Sequence, residues 1–230
     1  MGSTVNFKRP DGKDVQGYLA EPASAAGAPG VVVIQEWWGL NDQIRGVADR
    51  YAQAGYVALV PDLYRGKSTV EAAEAEHLMG ALDFADAASQ DVRGALQFLQ
   101  TRCAKTGVSG YCMGGALTLL TLVFAPEADA GVVYYGYPPL EYIDAQKIKA
   151  PLLAHWAVDD APFPIANVDK LEAKLTEAGV AFEFHRYDCM HAFANETQVG
   201  EKRLPITLYD PAAADLAWSR TMGFFGKHLR

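Results

Sequence analysis

Two stretches, "VVVIQ" at 31–35 and "YVALV" at 56–60, are apolar at consecutive rather than alternating positions. A strand wetted on one face alternates, whereas a strand covered on both faces does not. Such strands need helices above and below, and parallel neighbours need a crossover between them, usually a helix. The chain supplies these. Asn41 can cap a helix in which Ile44, Val47, Ala48 and Tyr51 share a face. Helical patterns follow near 70–82 and at 91–100, the second with Val92, Leu96 and Leu99 in a stripe. Next come a brief strand "TGVSG" (106–110), a buried helix "GALTLLTLVFA" and a strand "AGVVYYG" (130–136). "APLLAHWA" (150–157) and "AFEFHRY" (181–187) are two more strands, separated by a helix carrying Ile165, Val168, Leu171 and Leu175. Asp210-Pro211 opens a last helix as cap and N1 proline, with Trp218, Met222, Phe225 and Leu229 on one side. Ahead of all these, "VNFKRPDGKDVQGYLA" reads as two strands turning at Asp11-Gly12. The expected fold is α/β, a mostly parallel central sheet with helices on both faces. No internal linker or repeat interrupts the pattern, so residues 1–230 read as one domain.

Composition narrows the function. Half of the residues are hydrophobic, enough for a core without disulfides or metal, and the net charge of −8 argues against a nucleic-acid partner. The longest strongly apolar stretch, Ala116 to Ala125, is too short to span a bilayer, and the first residues lack a signal-type apolar segment. The three cysteines (103, 112 and 189) fit neither a disulfide framework nor a zinc module. A cytoplasmic protein with free thiols is expected, with no metal or cofactor and no membrane partner.

In parallel sheets the site forms at the carboxyl ends of the strands. "GYCMGG" lies there, between the strand ending near Gly110 and the helix starting near Gly114, with the outline of the G-x-S-x-G turn that lifts a nucleophile above a sheet. Cys112 holds the nucleophile position. A helix N-terminus behind the sulfur stabilises a thiolate, and the Met113 N–H would face an oxyanion. The competing reading is a small buried cysteine in a Gly-rich turn, and G-x-C-x-G by itself is weak. Strand before and helix after favour the nucleophile.

The base follows by elimination, because in this kind of turn the order along the chain is nucleophile, acid, histidine. His77 precedes Cys112, His155 lies inside an apolar strand, His185 alternates with phenylalanines, and His228 sits near a helix C-terminus. His191 follows the last strand and enters a loop, although a loop histidine can also be idle. The acid should follow "PLLAHWA", which leaves Asp159 and Asp160 both open; either can instead face the N-terminus of the next helix. Glu36 closes the first buried strand beside Trp37 and Trp38, where desolvation would raise its pKa, against the bland reading of a solvated strand end. Cys189 and His191, two candidate ligands without a second cluster, fall short of a zinc site. A pocket with Trp37, Trp38, Tyr134, Tyr135 and Phe163 would favour a planar or apolar acyl group.

With these residues in place the chain resembles the dienelactone hydrolase (carboxymethylenebutenolidase-like) family of α/β-hydrolases. The likeness runs from about residue 5 to 229 through "QEWWG", "PDLY", "GYCMGG", "DDAPFP" and "HAF". The resemblance implies a Cys112–His191–Asp160 triad, since the family's acid stands four residues ahead of a proline and Pro164 therefore selects Asp160. It also implies that Glu36 hydrogen-bonds the resting thiol until substrate binds, and that the N–H groups of Trp37 and Met113 form the oxyanion hole. The implied activity is cleavage of a small carboxylic ester or lactone through a thioester, by a monomer or small homo-oligomer. Two arginines that grip the substrate carboxylate in the dienelactone enzymes have no counterpart. One position is Asn195, in the substrate pocket of the family, and residues 70–90 contain no arginine. The serine that follows the family's histidine is Ala192. A thiol-based redox sensor, or a non-catalytic ligand-binding member of the fold, is the alternative.

Overall fold

The computed structural model describes residues 2–230, the side chain of Lys202 apart. Strands β1 (Ser3–Lys8) and β2 (Asp14–Ala20) form the expected hairpin, with Gly12 at a φ of 86° in its turn. The buried strands are β3 (Gly30–Ile34), β4 (Val57–Pro61), β5 (Thr106–Tyr111), β6 (Ala130–Tyr134) and β7 (Leu152–Asp159), and β8 (Phe182–Met190) closes the edge. All eight belong to one sheet in the order β1-β2-β4-β3-β5-β6-β7-β8. The β1–β2 and β2–β4 pairs are antiparallel and the rest parallel.

Consecutive apolar residues make this sheet two-faced. Val32, Ile34, Leu59 and Val108 pack on one side with Leu96 and Leu99 of α4 (Arg93–Gln100), Leu117 of α5 (Met113–Phe124) and Val168 and Leu171 of α6 (Ile165–Glu177). Val31, Val33, Val60 and Val132 pack on the other side with Ile44, Ala48 and Tyr51 of α1 (Asp42–Gln53) and Ala217 and Phe225 of α7 (Pro211–Leu229). Each fully buried Val, Leu or Phe contributes about 1.5–3 kcal/mol, so an alternating sequence here would lose one of the two cores. The caps are those read from the sequence: Ile44 N–H donates to Asn41 Oδ1 at 3.1 Å, and Ala213 N–H to Asp210 Oδ1 at 3.0 Å.

One helix departs from expectation. After α2 (Ala72–Gly80) the chain turns helical again at α3 (Phe84–Asp86) and passes through a π-helical stretch, Ala87–Val92, into α4. Asp91, in that stretch, is buried and held by Arg9 at 3.0 Å and by both oxygens to Arg65 at 2.8 and 2.9 Å. These ion pairs come from distant segments, so periodicity near 91 could not announce them.

β3 pairs with β4 on one side and β5 on the other. The chain therefore leaves β3 in one direction and returns on the opposite side. That reversal opens a crevice at the carboxyl ends of β3 and β5, where Glu36 and Cys112 lie.

Candidate active site

Cys112 occupies the bend between β5 and α5 with a φ of 54°, a conformation that costs a non-glycine residue energy and persists only where the surroundings enforce it. They do. Its N–H donates to Tyr134 O at 3.0 Å, and its carbonyl accepts from Gly115 N–H at 2.9 Å and Ala116 N–H at 3.2 Å. A Cβ on Gly110 would collide with the carbonyl of Gly114, and one on Gly136 with the carbonyl of Cys112. Glycines at 110 and 136 therefore let three backbone segments close on the bend. Met113 opens α5, so its N–H is among those a helix leaves without an intrahelical partner.

His191 follows β8 directly and is fixed by Leu208 N–H, which donates to its carbonyl at 3.1 Å. Its Nδ1 lies 2.8 Å from Asp160 Oδ2, with both side chains buried. Asp160 Oδ1 accepts from Phe163 N–H at 2.8 Å, which holds the carboxylate in place. Asp159 is exposed. At the end of β7, where the register with β8 shifts by an extra residue of β8, the chain turns Asp159 to water and Asp160 to the imidazole.

Burial pulls the His191 pKa down, but Cys112 and Asp160 more than reverse this and push it up to about 10. A raised value means that this group's contribution to stability is full below its ordinary 6.5 and is lost as pH rises through the folded value. Because Cys112 is the largest of the raising influences, the His191 ring in Cys112→Ala should titrate at markedly lower pH than in the wild type, as read from the imidazole NMR shifts. An unchanged value would mean that the sulfur does not face the ring.

Glu36 is buried, and its oxygens accept from Tyr135 Oη at 3.2 Å and Asn195 Nδ2 at 2.7 Å. Desolvation raises its pKa despite the nearby His191 and both donors. The contact with the resting thiol that the resemblance implies is not seen: among the hydrogen bonds of the described residues, neither Glu36 oxygen meets Cys112. Asn195 is itself anchored through Oδ1 by Thr197 N–H at 3.0 Å. A carboxyl with a raised pKa binds more protons folded than unfolded, so it costs stability as pH climbs above its ordinary value. Glu36→Gln, which keeps the shape without the charge, should therefore raise the Tm at pH 8, with the gain shrinking as pH falls toward 4.5 and gone below it. A constant gain across that range would remove titration as its cause.

These groups face a cavity of about 310 Å³. Glu36, Trp37, Trp38, Cys112, Met113, Phe163 and His191 line it as expected. Tyr134, Tyr135 and Asn195 do not, which corrects the sequence reading. Tyr134 points to the α7 face of the sheet, stacks on Tyr111 at 4.4 Å and shares a hydrogen bond with Thr221 Oγ1 at 2.8 Å. Tyr135 and Asn195 lie behind Glu36 and hold it rather than a ligand. Sequence reasoning missed Met79, at the end of a helix it had read, Phe84, Leu204 and Ile206, which come from segments with no pattern of their own, and Tyr137-Pro138-Pro139. The last run follows β6 at the carboxyl edge, a position that could have signalled it.

The other candidates have structural roles. His155 is fully buried between Tyr187 Oη at 2.9 Å and Thr221 Oγ1 at 3.0 Å, and burial lowers its pKa. Cys189 packs beside the site, and burial pushes its thiol up to about 12. Among the described residues no group of three or more His, Cys, Asp or Glu could hold a metal ion, and no helix is long and apolar enough to cross a membrane.

Comparison with known proteins shows which family the chain falls in. The family model described as the dienelactone hydrolase family matches residues 15–229. The chain is 36% identical to protein usf of Aquifex pyrophilus, with 100% of both chains covered. It is 32% identical, again over 100% of both, to an Aquifex aeolicus protein for which the name carboxymethylenebutenolidase has been proposed. Among solved structures, a dienelactone hydrolase-like promiscuous phosphotriesterase from metagenomic libraries superposes with a TM-score of 0.87 at 22% identity, covering 100% of this chain and 99% of that one. The fold is thus the α/β-hydrolase fold, and the chain belongs to the dienelactone hydrolase family.

Proposed function

We propose that this protein, read as one domain over residues 1–230, hydrolyses a small carboxylic ester or lactone with Cys112 as nucleophile, His191 as base and acid, and Asp160 as its orienter. The observation that carries this reading is the buried contact of Asp160 Oδ2 with His191 Nδ1 at 2.8 Å, on the same cavity that Cys112 lines. Cys112 sits at the N-terminus of α5 and shares the cavity with His191, so a helix end and an imidazole both face the position where a thiolate would act. In the proposed cycle the Cys112 sulfur attacks the carbonyl carbon. The C=O pair moves onto oxygen, which the N–H groups of Met113 and Trp37 receive. Collapse expels the alcohol, protonated by His191, and leaves a thioester on Cys112. His191 then takes a proton from water, the hydroxide adds to the thioester, and the thiolate leaves with the acid as product. Glu36, clamped by Tyr135 and Asn195 next to His191, is read as an electrostatic neighbour of the imidazole rather than a fourth reacting group.

Intact mass spectrometry after rapid mixing with an activated ester tests the intermediate. The expected result is one acyl group on the Cys112 peptide, released by hydroxylamine. Turnover with the acyl group elsewhere, or with none, would overturn the reading. A stable oxidised Cys112 with no turnover would favour the redox alternative.

A further inference from the structure

The wall of the cavity around Cys112 is chemically one-sided. Among the described residues that line it there is no lysine or arginine. Its charged groups are Glu36, a carboxyl, and His191, which is already paired with Asp160. The rest is mainly hydrocarbon and aromatic, with Met79 and Phe84 on one side and Leu204 and Ile206 on another. Hydroxyl and amide side chains away from the reacting groups are already engaged, Thr207 Oγ1 donating to Gln198 Oε1 at 2.7 Å and Tyr137 Oη to Pro164 O at 3.1 Å.

Two neighbouring arginines are engaged elsewhere. Arg203, in the loop that carries Leu204 and Ile206, turns Nη1 back onto the carbonyls of Leu204, Pro205 and Thr207. Arg65, just after β4, is held by both oxygens of Asp91. A carboxylate entering this space would give up its water, find as its one positive neighbour among the described lining residues an imidazole already held by Asp160, and stand in the field of Glu36. An apolar group entering it would gain by leaving water.

Resting on the ester-hydrolase reading above, we propose that the site selects neutral esters or lactones and rejects those that carry a free carboxylate into the cavity. Met79, Phe84, Leu204 and Ile206 form the wall that determines this specificity. A volume of about 310 Å³ is at the lower end for ligand pockets, so the preferred occupant is small, a single ring or a short chain on either side of the ester.

The test uses a pair that differs in charge. Benzyl methyl glutarate is neutral, and monobenzyl glutarate carries a carboxylate at the end of the same acyl chain. Binding of each is read with Cys112→Ala by quenching of Trp37 and Trp38 fluorescence. It is read again on the wild type as protection of Cys112 from iodoacetamide, which keeps the measurement valid if the alanine variant folds poorly. The expected result is that the neutral diester binds at least about tenfold more tightly than the monoacid. Ile206→Arg, at the 40% exposed rim, should shrink that ratio by about tenfold by supplying the missing cation. Lys202→Ala should leave the ratio unchanged. Equal or tighter binding of the monoacid, or a ratio that depends on Lys202, would overturn the proposal. Turnover of the diester by the wild type is scored separately: its absence counts against the hydrolase reading, whereas the binding ratio alone decides the selectivity.

Discussion

Replacing Cys112 by alanine lowers kcat/KM for a small neutral ester by about four orders of magnitude or more, while the Tm moves by only a few degrees. Alanine keeps the Cβ and the backbone of the bend, so the cavity and the Met113 and Trp37 N–H groups survive and only the bond-forming atom is lost. His191→Ala should cost a similar factor, because a thiol without its base is a poor nucleophile and a thioester without it is slow to hydrolyse. The double variant should be hardly worse than either single one, since groups that act on one proton fail together. Steady-state hydrolysis of a chromogenic ester, beside circular dichroism to confirm folding, makes the comparison. Strictly additive losses would show that Cys112 and His191 serve separate steps.

Gly110→Ala should lower stability by about 3 kcal/mol or more, through a steric clash that has no easy relief. The added methyl would meet the carbonyl of Gly114 and stand 2.6 Å from Thr118 Oγ1, and the carbonyl is backbone in the first turn of α5. Relief therefore requires the helix to move away from β5, and Cys112 moves with it. In a chain of 230 residues that cost corresponds to a Tm lower by about 6–12 °C, and activity should fall further than stability does. Gly223 is the internal control. It lies exposed within α7 with nothing within 4 Å of a new Cβ, so Gly223→Ala should instead stabilise by about 0.5–1 kcal/mol. Thermal denaturation of both variants decides whether the elbow glycine is there for packing or for composition alone.

Short-range patterns made the scaffold legible. Consecutive apolar residues at 31–34 and 57–60 required a sheet covered on both faces, and Asn41 and Asp210 announced helix starts through bonds only three residues long. The Gly-rich bend placed Cys112, and the order along the chain placed His191, because both follow from what the segment itself must do at a strand end.

The site's finer chemistry was decided across the fold. Residue physics left Asp159 and Asp160 both open, and it is where the chain turns past the end of β7 that exposes one and brings the other to His191. Tyr134 and Tyr135 read together as pocket walls, yet one faces α7 and the other bonds Glu36, because the side chain past the end of β6 takes a φ of 38°. The donors to Glu36 lie 99 and 159 residues away from it, and the apolar wall comes from residues 79, 84, 204 and 206. Periodicity, capping and the sterics of a tight bend act within a few residues, so the sequence alone determined the layered sheet and the strand-end positions of Cys112 and His191. Which side chains meet over the sheet's edge depends on strand order and helix packing, and only the tertiary structure could decide which aspartate meets His191, the clamp on Glu36 and the apolar wall of Met79, Phe84, Leu204 and Ile206.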